Sequence, residues 1–214
     1  MPTLCQCDIS IIIPVFNLEH YIGKMIESLK AQDLGDYSVE YIAVLNNCTD
    51  RSEEIIRESG IFNEVLFCTE QGCGCARNVG LDHAHGEYIW FLDGDDWLLR
   101  DDAIKYILDH IDGRPIMRVP FMSDAYHSEC FGMVWQYVLK RDEVKDIRFR
   151  KVQPAEDEDY MRKVLGKIGY QASLWKYVPA LDKPLYYYNY LRAGSNMWRV
   201  MRGEDINTPP RSEA

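Results

Sequence analysis

Three carboxylates within four residues, Asp93-Gly94-Asp95-Asp96, follow directly on the aromatic and β-branched run Tyr88-Ile89-Trp90-Phe91-Leu92. Like charges this close repel and raise one another's pKa, so a chain that keeps them usually supplies a compensating cation. Donors that are all oxygen suit Mg²⁺ or Mn²⁺, which takes one or two carboxylates together with phosphate oxygens of a substrate. Taken alone, the segment also reads as a solvated acidic turn capping a helix that begins near Asp101. A second acidic run, Glu156-Asp157-Glu158-Asp159, opens a helix after Pro154, where the helix dipole favours acids whatever their chemistry. The seven cysteines (Cys5, Cys7, Cys48, Cys68, Cys73, Cys75 and Cys130) form an odd set, which fits reduced thiols better than a disulfide framework. Cys5-Gln6-Cys7 and Cys73-Gly74-Cys75 lack the usual spacing of structural zinc sites.

These groups need a frame, and the first half of the chain supplies a regular one. Residues 8–16 are a near-continuous apolar run of the kind buried on both faces of a sheet, with Pro14 near its end marking where ladder pairing stops. Tyr21, Ile22, Met25, Ile26 and Leu29 then recur at helical spacing. Residues 39–45 read as a second strand, and Asp50-Arg51-Ser52-Glu53 after them has the acid-x-x-Glu spacing of a helix start. A weaker strand at 64–68, a helix at 76–84 and a strand at 87–92 follow. Strands alternating with helices imply right-handed crossovers and a parallel, doubly wound α/β sheet, which binds ligands at the C-terminal ends of its strands. Asn17, Asn46 with Asn47, and Asp93 to Asp96 each follow a strand, so the three groups are expected on one rim.

The second half is less regular. A helix is expected at 102–111, a strand at 116–121, a loop at 123–127, a helix at 131–139, a helix from the second acidic run to about 167 and a strand at 185–190. Between the last two helices lies a basic stretch, Lys140, Arg141, Lys145, Arg148, Arg150 and Lys151, read mainly as a solvated face. The net charge of −10 disfavours a protein whose main work is non-specific binding to nucleic acid. No apolar run reaches the length of a membrane span and residues 1–8 lack the pattern of a signal peptide, so a cytoplasmic location is expected.

With its pieces in this order, the chain resembles the family 2 inverting glycosyltransferases of GT-A fold, from Ser10 to about Trp198. The markers are Ser10-Ile11-Ile12-Ile13-Pro14-Val15-Phe16-Asn17, Asn46-Asn47-Cys48-Thr49-Asp50-Arg51-Ser52, Ala76-Arg77-Asn78-Val79-Gly80 with Gly86-Glu87-Tyr88, and the Asp93 cluster. Trp135 before Lys140-Arg141, the Glu156-Asp157 pair, and Pro184-Leu185-Tyr186 before Gly194-Ser195 complete the set. The resemblance implies a Rossmann-like, mostly parallel sheet with a short acceptor-side C-terminal extension, forming one domain over residues 1–202. Residues 8–100 would carry the nucleotide sugar, residues 101–202 the acceptor, and 203–214 a mobile tail.

The same resemblance implies roles. Pro14, Phe16, Asn17, Asn46, Asp50, Arg77, Asp93 and Gly94 would line the nucleoside diphosphate sugar, with Phe16 stacking on the base, and Arg192 and Arg199 would close over the phosphates. Each has a structural alternative: a core ring for Phe16, a helix cap for Asp50, a salt bridge for Arg77 and plain surface positions for Arg192 and Arg199. Asp95, then Asp93, then Asp96 would hold Mn²⁺ or Mg²⁺. Asp157, ionised at a near-normal pKa, would be the general base, with Glu156 orienting it. UDP is the favoured nucleotide, although Asn46 and Asn47 replace the base-reading aspartates usual in the family. The expected acceptor is a glycan or a lipid-linked sugar, met in the cytoplasm or peripherally at the membrane. Two alternatives stand beside this: a nucleic-acid or modified-base acceptor, supported by the basic stretch, and a sugar-nucleotide-binding module without turnover, prompted by the two asparagines.

Overall fold

The computed structural model describes residues 7–123, 132–150, 155–169 and 180–189. The chain opens with β1 (Ile9–Val15), α1 (Ile22–Lys30), β2 (Val39–Asn46), α2 (Ser52–Ser59), β3 (Glu64–Cys68), α3 (Cys73–His83) and β4 (Tyr88–Phe91). Every residue of β1 is buried, as expected for a strand covered on both faces. Its side chains alternate between two cores. Ile9, Ile11, Ile13 and Val15 pack with Ile22, Met25, Ile26 and Leu29 of α1, whereas Ile12 packs with Ala76 and Leu81 of α3. Side chains buried this fully stabilise the fold by roughly 1.5–3 kcal/mol each. Gly80 sets how closely α3 approaches: a Cβ there would lie 2.3 Å from Ile12 Cγ2, so a larger residue would lift the helix off the strand.

The next elements are β5 (Trp97–Leu98), α4 (Ala103–Ile111), β6 (Ile116–Arg118), β7 (Phe121–Ser123), a 3₁₀ turn (Val134–Gln136), β8 (Tyr137–Lys140), α5 (Arg141–Val144), α6 (Glu156–Lys167) and β9 (Tyr186–Tyr188). A six-stranded sheet runs in the order β3-β2-β1-β4-β8-β6, and a small second sheet in the order β5-β9-β7. The pairs β1 with β2, β2 with β3 and β1 with β4 are parallel, while β8 runs antiparallel to both β4 and β6. The strand order reverses between β1 and β4. Their C-terminal ends therefore flank the crevice in which open α/β sheets bind ligands. Trp135 joins the two sheets: its carbonyl accepts the Trp90 indole N–H at 2.8 Å, and its ring stacks on Tyr186 at 4.7 Å.

Three expectations are corrected. Residues 134–139 form a 3₁₀ turn and most of β8, not a helix. This run is buried on both faces, so its apolar residues carry no period that separates helix from strand, and pairing of Ile89 with Leu139 decides the outcome. The strand expected at 116–121 is divided at Pro120, which lacks a ladder donor, and the chain places β6 and β7 in different sheets. α3 begins at Cys73, three residues ahead of the expected start at 76, with Gly72 at φ 121° turning the chain into it. The expected tail at 203–214 lies outside the described residues. Among those described, no helix is long and apolar enough to cross a membrane.

Candidate functional site

The acidic turn after β4 rests on the end of β1. A Cβ on Gly94 would meet Leu18 Cδ1 at 2.8 Å and the Pro14 carbonyl at 3.4 Å, so only glycine lets the turn lie this close. Pro14 itself is buried in β1, in register with Val44. The turn closes through Asp96 N–H donating to the Asp93 carbonyl at 3.0 Å. Asp96 is only 1% exposed. Its carboxylate accepts the Tyr186 hydroxyl and, at 2.8 Å, the Asn189 N–H, while Asn189 Nδ2 donates to the Asp95 carbonyl at 3.2 Å. Burial, reinforced by Asp95 and Asp93, pushes the Asp96 carboxyl well above the usual range. Asp96 is therefore a strut between the turn and β9.

Asp93 and Asp95 remain, both half-buried at the rim. Among the described residues no three His, Cys, Asp or Glu side chains converge as a metal group. Two hard carboxylates completed by substrate phosphate oxygens are nonetheless the donor set that Mg²⁺ or Mn²⁺ commonly uses, so these residues fit such an ion.

Arg77, from the second turn of α3, is 3% exposed and lies beneath this rim. Its Nη2 donates to Asp93 Oδ1 at 2.8 Å and its Nη1 to Asp157 Oδ1 at 2.6 Å, with Glu156 Oε1 at 3.8 Å. The guanidinium carbon sits 5.4 Å from the Phe149 ring centroid, and Nε has no hydrogen-bond partner. One cation thus joins the turn after β4 to the first turn of α6. The structural alternative for Arg77, a salt bridge to nearby acids, is what the protein contains.

Asp157 has a side chain 15% exposed, and its Oδ2 accepts the Val134 N–H at 3.4 Å. Burial pushes its carboxyl up, Arg77 opposes this, and Glu156 and Asp93 add to it, leaving a pKa of about 7. The near-normal value expected from sequence is corrected by the low exposure and the two neighbouring acids. Cys73, one helical turn before Arg77, is held by burial at about 12 and stays a neutral thiol. Cys7, Cys48, Cys68, Cys73 and Cys75 are all free thiols.

The remaining rim residues mostly hold loops. Asn17, at φ 50°, accepts the Thr49 N–H at 2.8 Å and donates to the Thr49 hydroxyl at 3.2 Å. Asn46 donates to the carbonyls of Cys68 and Glu70 at 3.1 and 2.6 Å and accepts the Gly72 N–H at 3.0 Å, so its amide ties β2 to the turn before α3. Asp50 accepts the Ser52 and Glu19 N–H groups at 3.0 and 2.9 Å, in keeping with its helix-start reading. Phe16 is half-buried and belongs to neither core cluster, unlike a core phenylalanine. Arg192 and Arg199 lie outside the described residues.

In the basic stretch, Lys140 faces Glu87, Lys145 faces Asp142, Arg148 faces Asp82 and Arg150 faces Asp159, while Arg141 donates to the Gly86 carbonyl. Lys151 lies outside the described residues. Sequence reading missed Phe149, Asn189 and the Val134 N–H as parts of the site. Only Tyr186 carried a signal, as a member of the Pro184-Leu185-Tyr186 marker.

A mostly parallel sheet with an acidic turn at its reversal point, and a buried cation tying that turn to an acidic helix start, defines a GT-A type of protein. The chain belongs to glycosyl transferase family 2, whose profile residues 10–152 match. The glycosyltransferase GlyA of Streptococcus pneumoniae is 26% identical over 205 residues, which cover 85% of this chain and 29% of GlyA. The fold is shared with residues 1–349 of S. aureus TarS in complex with UDP-GlcNAc, at a TM-score of 0.74 and 24% identity, over 89% of this chain and 60% of that one. It is also shared with a mannosyltransferase of Pyrobaculum calidifontis in complex with GDP-Man and Mn²⁺, at a TM-score of 0.70 and 18% identity, over 94% of this chain and 62% of that one.

Proposed function

We propose that the chain is an inverting, metal-dependent glycosyltransferase that moves a sugar from a UDP-sugar to a hydroxyl of a glycan, a lipid-linked sugar or a related surface polymer. The observation that carries this reading is the Asp93–Arg77–Asp157 chain of ion pairs. It places a rim carboxylate and a carboxyl with a pKa of about 7 on one buried guanidinium at the strand-end crevice. Asp157 takes the proton of the acceptor hydroxyl as its oxygen bonds to the anomeric carbon and the bond to the diphosphate breaks. A base with a pKa near the working pH suits that transfer. A single in-line displacement inverts the anomeric centre, so an α-linked donor gives a β-linked product with no covalent enzyme intermediate. A divalent cation held by Asp93 and Asp95 would supply Lewis-acid neutralisation of the departing diphosphate. Phe16 offers a ring to the base, with Asn17, Gly94 and the loop that Asn46 and Asp50 organise around it.

UDP is favoured because TarS is solved with UDP and with UDP-GlcNAc, and a poly(ribitol-phosphate) β-N-acetylglucosaminyltransferase of this name is 32% identical to the chain over 108 residues. We place the reaction in the cytoplasm, peripherally at the membrane where the acceptor is lipid-linked. A panel of UDP- and GDP-sugars, with Mn²⁺ or a chelator, tests the reading by thermal shift, turnover and the anomeric configuration of the product. Metal-dependent stabilisation by one UDP-sugar and a β-linked product are expected. The absence of metal-dependent binding by every donor would overturn the assignment, and retained configuration would overturn the single displacement. Commitment of Asn46 to its own loop supports a second reading, a nucleotide-sugar-binding module, which predicts donor binding without transfer to any acceptor. Pairing of Lys140, Lys145, Arg148 and Arg150 with acids weakens the support for a nucleic-acid acceptor.

A further inference from the structure

Arg77 is placed badly for touching a nucleotide sugar and well for something else. Both of its Nη atoms already donate to carboxylates, at 2.8 and 2.6 Å, and the residue is 3% exposed. At 3% exposure, packed beside Phe149, the guanidinium presents little surface to a diphosphate. The two Asp157 oxygens, in contrast, are held unequally. Oδ1 receives a charge-assisted bond at 2.6 Å, whereas among the described residues Oδ2 receives only the Val134 N–H at 3.4 Å. A planar guanidinium fixes the direction of a carboxylate in a way that a point charge does not.

We propose that Arg77 is the positioning residue of Asp157, fixing Oδ1 and leaving Oδ2 to the acceptor hydroxyl, rather than a contact to the donor. This rests on the reading of Asp157 as the general base. Among the described residues, the titratable and charged groups that face Asp157 are Arg77 and Cys73 from α3, Asp93 from the turn after β4 and Glu156 from α6. Arg77 is the cation among them, and the Cys73 thiol is neutral. With Arg77 removed, the 3.4 Å bond from the Val134 N–H is what remains among the described groups to oppose burial and two acids, and the Asp157 pKa rises above the value of about 7. Fewer molecules then hold a free base at neutral pH, so the acid limb of the rate profile moves to higher pH.

The test titrates Asp157 by carboxyl-carbon NMR in the whole, donor-free chain, for the unmodified protein and for Arg77→Lys and Arg77→Gln. UDP binding with Mn²⁺ is measured by calorimetry, and kcat and KM for UDP-GlcNAc are followed across the neutral pH range. Arg77→Gln is expected to raise the Asp157 pKa by about one unit or more and to shift the acid limb of kcat equally. Its UDP dissociation constant should stay within about threefold of the parent, and Arg77→Lys should fall between the two. Weakening of UDP binding by about tenfold or more, with the Asp157 titration unmoved, would make Arg77 a donor contact and overturn the proposal.

Should the variants not fold, the unmodified protein decides. Its Arg77 Nη resonances must follow the Asp157 titration, and signals that stay constant through it exclude the pairing. If the unmodified protein binds no UDP or transfers no sugar, the glycosyltransferase reading fails, while the NMR arm still reports on Arg77 and Asp157.

Discussion

Two carboxylates whose side chains are about equally exposed sit at opposite ends of the main sheet, and their pKa values move in opposite directions. The Glu40 side chain, at the N-terminal end of β2, is 13% exposed, and that of Asp157, beyond the C-terminal rim, is 15% exposed. Burial is the largest influence on both and pushes both up. Glu40 nevertheless lies below its ordinary value, because the Ser10 hydroxyl and the His85 N–H at 2.6 Å donate to it and the His85 ring stands 3.4 Å away. Among the described residues Asp157 shares the Arg77 cation with Asp93 and Glu156, and it stays near 7. Side-chain exposure alone does not separate the two acids, and Asp157, the proposed base, is the more deeply enclosed of them. The supply of donors differs as well: Glu40 accepts from the Ser10 hydroxyl and the His85 N–H, whereas among the described residues Asp157 shares its guanidinium with Asp93.

Four experiments break or sharpen this contrast. The largest effect is expected at the proposed base, where Asp157→Asn should lower kcat by about 10²–10⁴-fold while UDP binding persists. Unchanged transfer would move the base elsewhere. Next, Asp95→Ala should remove the Mn²⁺-dependent stabilisation by UDP, a quantity of about 2.7 kcal/mol at ligand a hundredfold over its dissociation constant. A full thermal shift in that variant would show that Asp95 holds no ion.

At the structural end, Glu40→Ala strips the Ser10 hydroxyl and the His85 N–H of their acceptor and should lower unfolding free energy by about 1–3 kcal/mol. Sugar transfer at a temperature where the variant stays folded should equal that of the parent, and a loss of kcat would erase the distinction between the two acids. The last effect is on stability against pH, at most about 1.4 kcal/mol per pH unit for each group. The folded pKa of Asp157 is raised, so its contribution is full below about pH 4 and is lost as pH rises through about 7. The folded pKa of Glu40 is lowered, so its contribution is present above its unfolded value and is lost as pH falls through the folded one. Thermal melts of the donor-free protein should therefore decline from about pH 4 to about pH 7, and Asp157→Asn should flatten that slope.

The sequence made some of this visible and hid the rest for identifiable reasons. β1 was legible because a strand buried on both faces leaves an unbroken apolar run, and α1 because one apolar face repeats at helical spacing. β8 was not, because burial on both faces erases the period. The same division runs through the site. Asp93 and Asp95 follow a strand that the sequence announces. The different fate of Asp96 depends on Tyr186 and Asn189, 90 and 93 residues away, and no local spacing encodes such a partner. Arg77 was visible as a cation near acids, yet the acid that matters most to it lies 80 residues further along the chain. Asn46 had the right position for a ligand contact, but the carbonyls it serves appear only once β3 is in place.

The strut from Tyr186 to Asp96 has a consequence for how the protein is made. The strands β1 to β4 lie within the first 91 residues and pair among themselves, so the nascent chain can assemble that part of the sheet early. The acidic turn that follows is made at the same time, but the hydroxyl and N–H that hold Asp96 arrive only with β9. Contacts so distant in sequence form late because the loop between them must close first. The frame of the site is thus ready well before its acidic turn is braced, and the last described strand of the chain is the one that braces it.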